Sequence, residues 1–134
     1  MSVFSGITSQ QKLGGVFGLS CYLLLSDRIK NFVSEDWPNK NTPFFLAHGL
    51  DDDIVPHAFG ELSSKAMKEL GLENIEFRSY PYVYYIQAIH LFPRLTYNCS
   101  DLPHSADPAE IEDLEKFLTK VLPNEADGKA SAGL

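Results

Sequence analysis

The chain has 134 residues, 44% of them hydrophobic, which is enough for one domain with a real core. Its formal net charge of −7 excludes the clustered Lys and Arg that phosphate neutralisation needs, so no nucleic-acid partner is expected. The same balance leaves no polybasic patch for a membrane surface, and no apolar run reaches membrane-spanning length. Two widely separated cysteines, Cys21 and Cys99, imply neither a zinc site nor a disulfide framework. With no basic leader and no long apolar segment at the start, the expected address is cytoplasmic, with the nucleus as a second compartment.

In chain order, residues 1–12 read as the latter part of a helix with Val3, Phe4 and Ile7 on one face. Residues 13–20, LGGVFGLS, read as a short buried strand, and 21–25 as an apolar loop or strand extension. Ser26 and Asp27 are expected to cap a helical turn running to Phe32, and 35–41 to form a surface loop broken by Pro38. The run 42–48 is apolar and ends abruptly at Gly49, the pattern of a strand buried on both faces. Residues 56–70 follow as an amphipathic helix with Phe59, Leu62, Met67 and Leu70 inward and Gly71 as its stop. Residues 74–80 alternate as a strand, with Ile75, Phe77 and Ser79 against Glu76, Arg78 and Tyr80. A last helix over 108–122 carries Ile111, Leu114, Phe117, Leu118 and Val121, with Asp107 as N-cap and Pro108 at its first position. Residues 124–134 read as a frayed tail. Alternating strands and helices imply a parallel sheet with right-handed crossovers.

Three acids, Asp51, Asp52 and Asp53, sit where the central strand ends, the place open α/β sheets use for their sites. A structural role competes with a chemical one, because Asp accepts backbone N–H bonds in turns and at helix starts. No second acidic cluster supports a metal cage.

The segments LGGVFGLSCYLLL (13–25), TPFFLAHGLDDDIVP (42–56), FRSYP (77–81) and HSADPAEIEDLEKFL (104–118) resemble, in this order, the C-terminal half of the acyl-protein thioesterase, or phospholipase/carboxylesterase, family of α/β-hydrolases. The resemblance implies a partial α/β-hydrolase fold over 1–122, with about three parallel strands flanked by helices and the N-terminal half of the sheet missing. It implies hydrolysis of S-acylated proteins or related acyl esters, without metal or cofactor. The position matching the family's catalytic acid is Asp52, in HG-x-x-D-x-x-VP, and that matching its base is His104, before Ser-Ala-Asp-Pro. His48, His57 and His90 show no acid partner in the pattern, and His48 reads as a packed histidine. Leu23, Leu24 and Leu25 are candidates for an acyl channel, with core packing favoured.

Two departures stand out. The family's Gly-x-Ser-x-Gly elbow precedes the segment that 1–6 resembles, so the nucleophile is expected to be missing; removing such a serine lowers the rate by about six orders of magnitude in a comparable hydrolase. The family joins SYP to the histidine by a short link, whereas 22 residues, 82–103, stand here, against a median connection of about 4–6. This aromatic insert, centred on 82–101, reads as a retained intron. Pro103 replaces the family's Gly before His104, and its φ fixed near about −65° bears on where that imidazole lies. The first strand is expected to be an open edge and to drive self-association. The competing reading is a non-catalytic relic or interaction module.

Overall fold

The computed structural model describes residues 2–34, 36–81 and 107–122. In chain order these form α1 (Ser2–Thr8), β1 (Val16–Leu19), a 3-10 turn (Ile29–Phe32), β2 (Phe44–Gly49), α2 (His57–Leu70), β3 (Ile75–Tyr80) and α3 (Pro108–Val121). The strands make one parallel sheet in the order β1-β2-β3, with Phe44 level with Val16 on one side and Ile75 on the other. The insert at 82–101, the tail from 124, His90 and His104 lie outside the described residues.

β2 is central because its side chains are apolar in both directions. Phe44 and Leu46 point to one face and meet Val3 and Ile7 of α1 and Met67 of α2. Phe45 and Ala47 point to the other face and meet Phe117 of α3 and Tyr80. Alternation at period two thus feeds two separate cores from one strand. Each fully buried aromatic or large aliphatic side chain contributes about 1.5–3 kcal/mol relative to exposure.

β1 is fully covered on one face and partly on the other, where Leu19 packs against Phe45 and its neighbours. Val16 and Gly18 are buried, but Phe17 is 44% exposed. The expectation of a strand buried throughout fails at Phe17. Among the described residues, β2 is the only strand paired with β1.

Four further expectations need correction. No side chain caps the 3-10 turn, whose leading residue is Arg28, so Ser26 and Asp27 do not serve that role. The loop after it is not a free surface loop. Asn39 is fully buried, donates through Nδ2 to the carbonyls of Ser9 and Gln11, and accepts from Leu13 N–H and Thr42 Oγ1. On α2 the inward face was misplaced: Phe59 and Leu62 are exposed, and Gly60, Ser63, Ser64 and Met67 are buried. Small residues let the helix lie close to the sheet, and Ser63 meets its own needs by donating to Phe59 O while accepting Leu23 N–H. On α3, Ile111 is likewise exposed. Gly71 ends α2 in the left-handed region with φ +102°, as its place in the sequence predicts. No helix among the described residues is long and apolar enough to cross a membrane.

Candidate functional site at the carboxyl end of the sheet

β2 delivers His48 and Gly49 to the carboxyl edge of the sheet, and the chain turns through 50–56 before entering α2. Of the three acids, Asp51 and Asp53 are exposed and Asp52 is buried. Asp52 Oδ1 accepts the N–H groups of Ile54 at 3.0 Å and Val55 at 2.8 Å. The turn-forming role expected of a loop aspartate is therefore real, and it engages one carboxylate oxygen. The other, Oδ2, lies 3.8 Å from His48 Nε2.

His48 is a packed histidine, as its sequence position suggests, and it also holds the acid loop. Its Nε2 is 2.7 Å from the carbonyl of Val55, which can only accept, so this nitrogen carries the hydrogen. Gly60 of α2 seats the other side of the ring: a Cβ there would stand 2.5 Å from His48 Nδ1 and 3.0 Å from Phe77 Cε2. The imidazole thus fixes both ends of the turn that presents Asp52. The sequence pattern suggests no acid partner for His48 or His57. The structure puts Asp52 beside His48, and Glu61 beside His57 at 3.8 Å.

α3 brings a further carboxyl group into this region. Asp107 caps it, accepting Ala109 N–H at 2.7 Å, while Glu110 Oε2 accepts Asp107 N–H at 3.2 Å. Glu110 is only 3% exposed, and its Oε1 has no hydrogen-bond partner among the described residues. Burial pushes its carboxyl above the ordinary range, and the Asp107 and Asp52 charges push the same way; the Asp107 N–H and His48 oppose them. The Asp107/Glu110 spacing signals a cap in the sequence, but not burial. β3 anchors α3 from below, where Tyr80 Oη donates to Asp113 Oδ2 at 2.8 Å and Arg78 pairs with the same carboxylate.

A raised acid holds its proton to higher pH when folded than when unfolded. Folding therefore weakens as pH climbs from the ordinary carboxylate value toward the folded one. Glu110→Gln keeps the reciprocal cap and cannot ionise. We expect its thermal midpoint to match the parent below the ordinary carboxylate range and to rise above it increasingly toward neutral pH. A constant offset at all pH values would contradict this account.

His104 lies outside the described residues, and with it the pairing to Asp52. Of the leucines offered as channel lining, Leu23 is buried in the core and Leu25 is exposed.

Residues 1–122 match the family model described as Phospholipase/Carboxylesterase. The chain belongs to this family. A phospholipase/carboxylesterase relative named acyl-protein thioesterase 1 from Aspergillus fumigatus is 58% identical over 134 residues, all of this chain and 48% of that protein. One of the same name from Emericella nidulans is 60% identical over 128 residues, 96% of this chain and 46% of that protein. Among solved structures, Arabidopsis thaliana SOBER1 superposes with TM-score 0.67 at 25% identity, covering 91% of this chain and 48% of that one. Zea mays acyl-protein thioesterase 2 does so at 0.63 and 27% identity, covering 84% and 42%. The chain thus spans about half the length of the curated relatives it matches, and its three parallel strands and flanking helices are part of an α/β-hydrolase fold.

Proposed function

We propose that this chain carries the acid–base half of a serine hydrolase that cleaves the thioester between an acyl chain and a protein cysteine, or a related carboxylic ester. The supporting observation is the buried Asp52 at the end of the central strand, held by two backbone N–H groups in a turn pinned by His48. In this reading Asp52 orients His104. His104 takes the proton from a serine as its Oγ bonds to the carbonyl carbon, and returns it to the departing thiolate or alkoxide; water then releases the acid. The substrate class comes from the names of the relatives, and a cytoplasmic and nuclear address belongs to the same proposal.

The 134 residues contain no Gly-x-Ser-x-Gly. The second reading is an interaction module without turnover. The partly covered β1, with Phe17 outward, is the surface on which a complementary half of the fold, or a second copy, would pair. A split-enzyme experiment decides between them. The chain is co-purified with the preceding half of the Aspergillus fumigatus relative and assayed on a short-chain nitrophenyl ester. Turnover by the complex, and by neither half alone, supports the hydrolase. A stable complex without turnover supports the module.

A further inference from the structure

The described residues hold a serine–imidazole–carboxylate series on β3 and α2, built from residues other than Asp52 and His104. His57 Nε2 lies 2.7 Å from Ser79 Oγ, and its Nδ1 lies 3.8 Å from Glu61 Oε1, one helical turn on. A carboxylate beside Nδ1 favours the tautomer with hydrogen there, which leaves Nε2 free to accept from the Ser79 hydroxyl. The ring is held between aromatic neighbours, 5.6 Å from His48 and 5.6 Å from Phe77. Its side chain is 15% exposed, and Ser79 is exposed. Nucleophile and base are thus within hydrogen-bond reach, the carboxylate stands 3.8 Å from the ring, and the group is reachable from solvent.

A place for a substrate adjoins them. Ile75 and Phe77 pack toward the α1/α2 core, and Ser79, two residues on, meets α2 through His57. Between α2 and β3 an open cleft of about 570 Å³ is lined by Glu61, Lys65, Lys68, Ile75 and Phe77 among others. It shares Glu61 with the series itself and Phe77 with its ring contacts. Ile75 and Phe77 give it an apolar strip, and Lys65 and Lys68 stand in it together with the carboxylates Glu61 and Glu76.

We propose that Ser79, activated by His57, is a second acyl-accepting site, which takes an activated ester with an apolar acyl chain and an anionic leaving group. The acyl chain lies on Ile75 and Phe77, and the anion meets Lys65 and Lys68. Ser79 Oγ bonds to the carbonyl carbon while its proton passes to His57 Nε2. The bond from carbonyl carbon to leaving-group oxygen breaks, and His57 returns the proton to that oxygen. The product is an acyl-serine.

The probe is 4-octanoyloxy-3-nitrobenzoate, with uncharged 4-nitrophenyl octanoate for comparison, applied to the purified 134-residue chain. One octanoyl group is expected on Ser79 by peptide mass mapping, and none there in Ser79→Ala. His57→Gln leaves the hydroxyl and removes the base, and should slow labelling about 100-fold at an unchanged thermal midpoint. If that midpoint moves, the exposed Glu61→Gln replaces it, with a several-fold slowing expected. Lys65→Gln with Lys68→Gln should slow the charged ester more than the uncharged one. Acylation confined to lysines, or an equal rate in the His57 and Glu61 variants, overturns the proposal. The split-enzyme assay depends on other residues, so either result stands without the other.

Discussion

In the split-enzyme complex, Asp52→Asn is expected to lower ester turnover about 10⁴-fold, the loss seen when a triad aspartate becomes its amide. The substitution is conservative in shape. Asparagine Oδ1 can still accept the N–H groups of Ile54 and Val55, so the turn should survive. What changes is the second oxygen, which becomes an amide nitrogen that donates, and the negative charge is gone. An imidazole oriented by a carboxylate is then offered the wrong partner, and the imidazolium formed during proton transfer loses its stabilising neighbour. The two roles of Asp52 separate in the readout. A structural role moves the thermal midpoint and the yield of complex, whereas a catalytic role moves kcat with both unchanged. A loss of less than about tenfold in kcat would leave Asp52 as a turn residue only.

The sequence reveals the sheet more readily than the helix faces. β2 was legible because residues 42–48 are apolar without alternation, which a strand buried on both faces requires and an amphipathic helix does not. α3 was legible from Asp107 and Pro108, whose chemistry marks a helix start. On α2 hydrophobicity does not mark burial. Its buried side is built from Gly60, Ser63 and Ser64, chosen for size and satisfied locally, while Phe59 and Leu62 face outward. Asn39 was illegible for a related reason: a loop polar residue becomes core only through partners about thirty positions away.

The site divides the same way. Asp52 is legible as a turn acid at the end of β2, and the structure buries it there. The contact of His57 with Ser79 spans 22 positions and depends on how α2 lies across the β2–β3 pair, which no local pattern encodes. His57 and Glu61 one turn apart on a helix was the available signal.

Phe45→Ala is expected to destabilise the chain by about 3–5 kcal/mol, the range for removing a buried aromatic. Phe45 is 1% exposed and lies in the central strand, with its ring stacked on Phe117 at 5.5 Å. Among the described residues its cluster is the smaller of the two, with Ala47, Tyr80 and Phe117 buried beside it and Leu19, Leu114, Leu118 and Val121 partly buried against it. How far these aliphatic side chains relax inward sets where in that range the loss falls. The loss also has a direction. Phe117 is the residue by which α3 reaches the core, so the cavity loosens the helix that carries the Asp107/Glu110 cap. Against a total stability of about 5–15 kcal/mol for a domain, this leaves little margin. Urea unfolding should show a lower midpoint and, by hydrogen exchange, protection lost first along 108–121. A loss below about 1 kcal/mol would mean that α3 holds to the sheet mainly through the Tyr80–Asp113–Arg78 contacts instead.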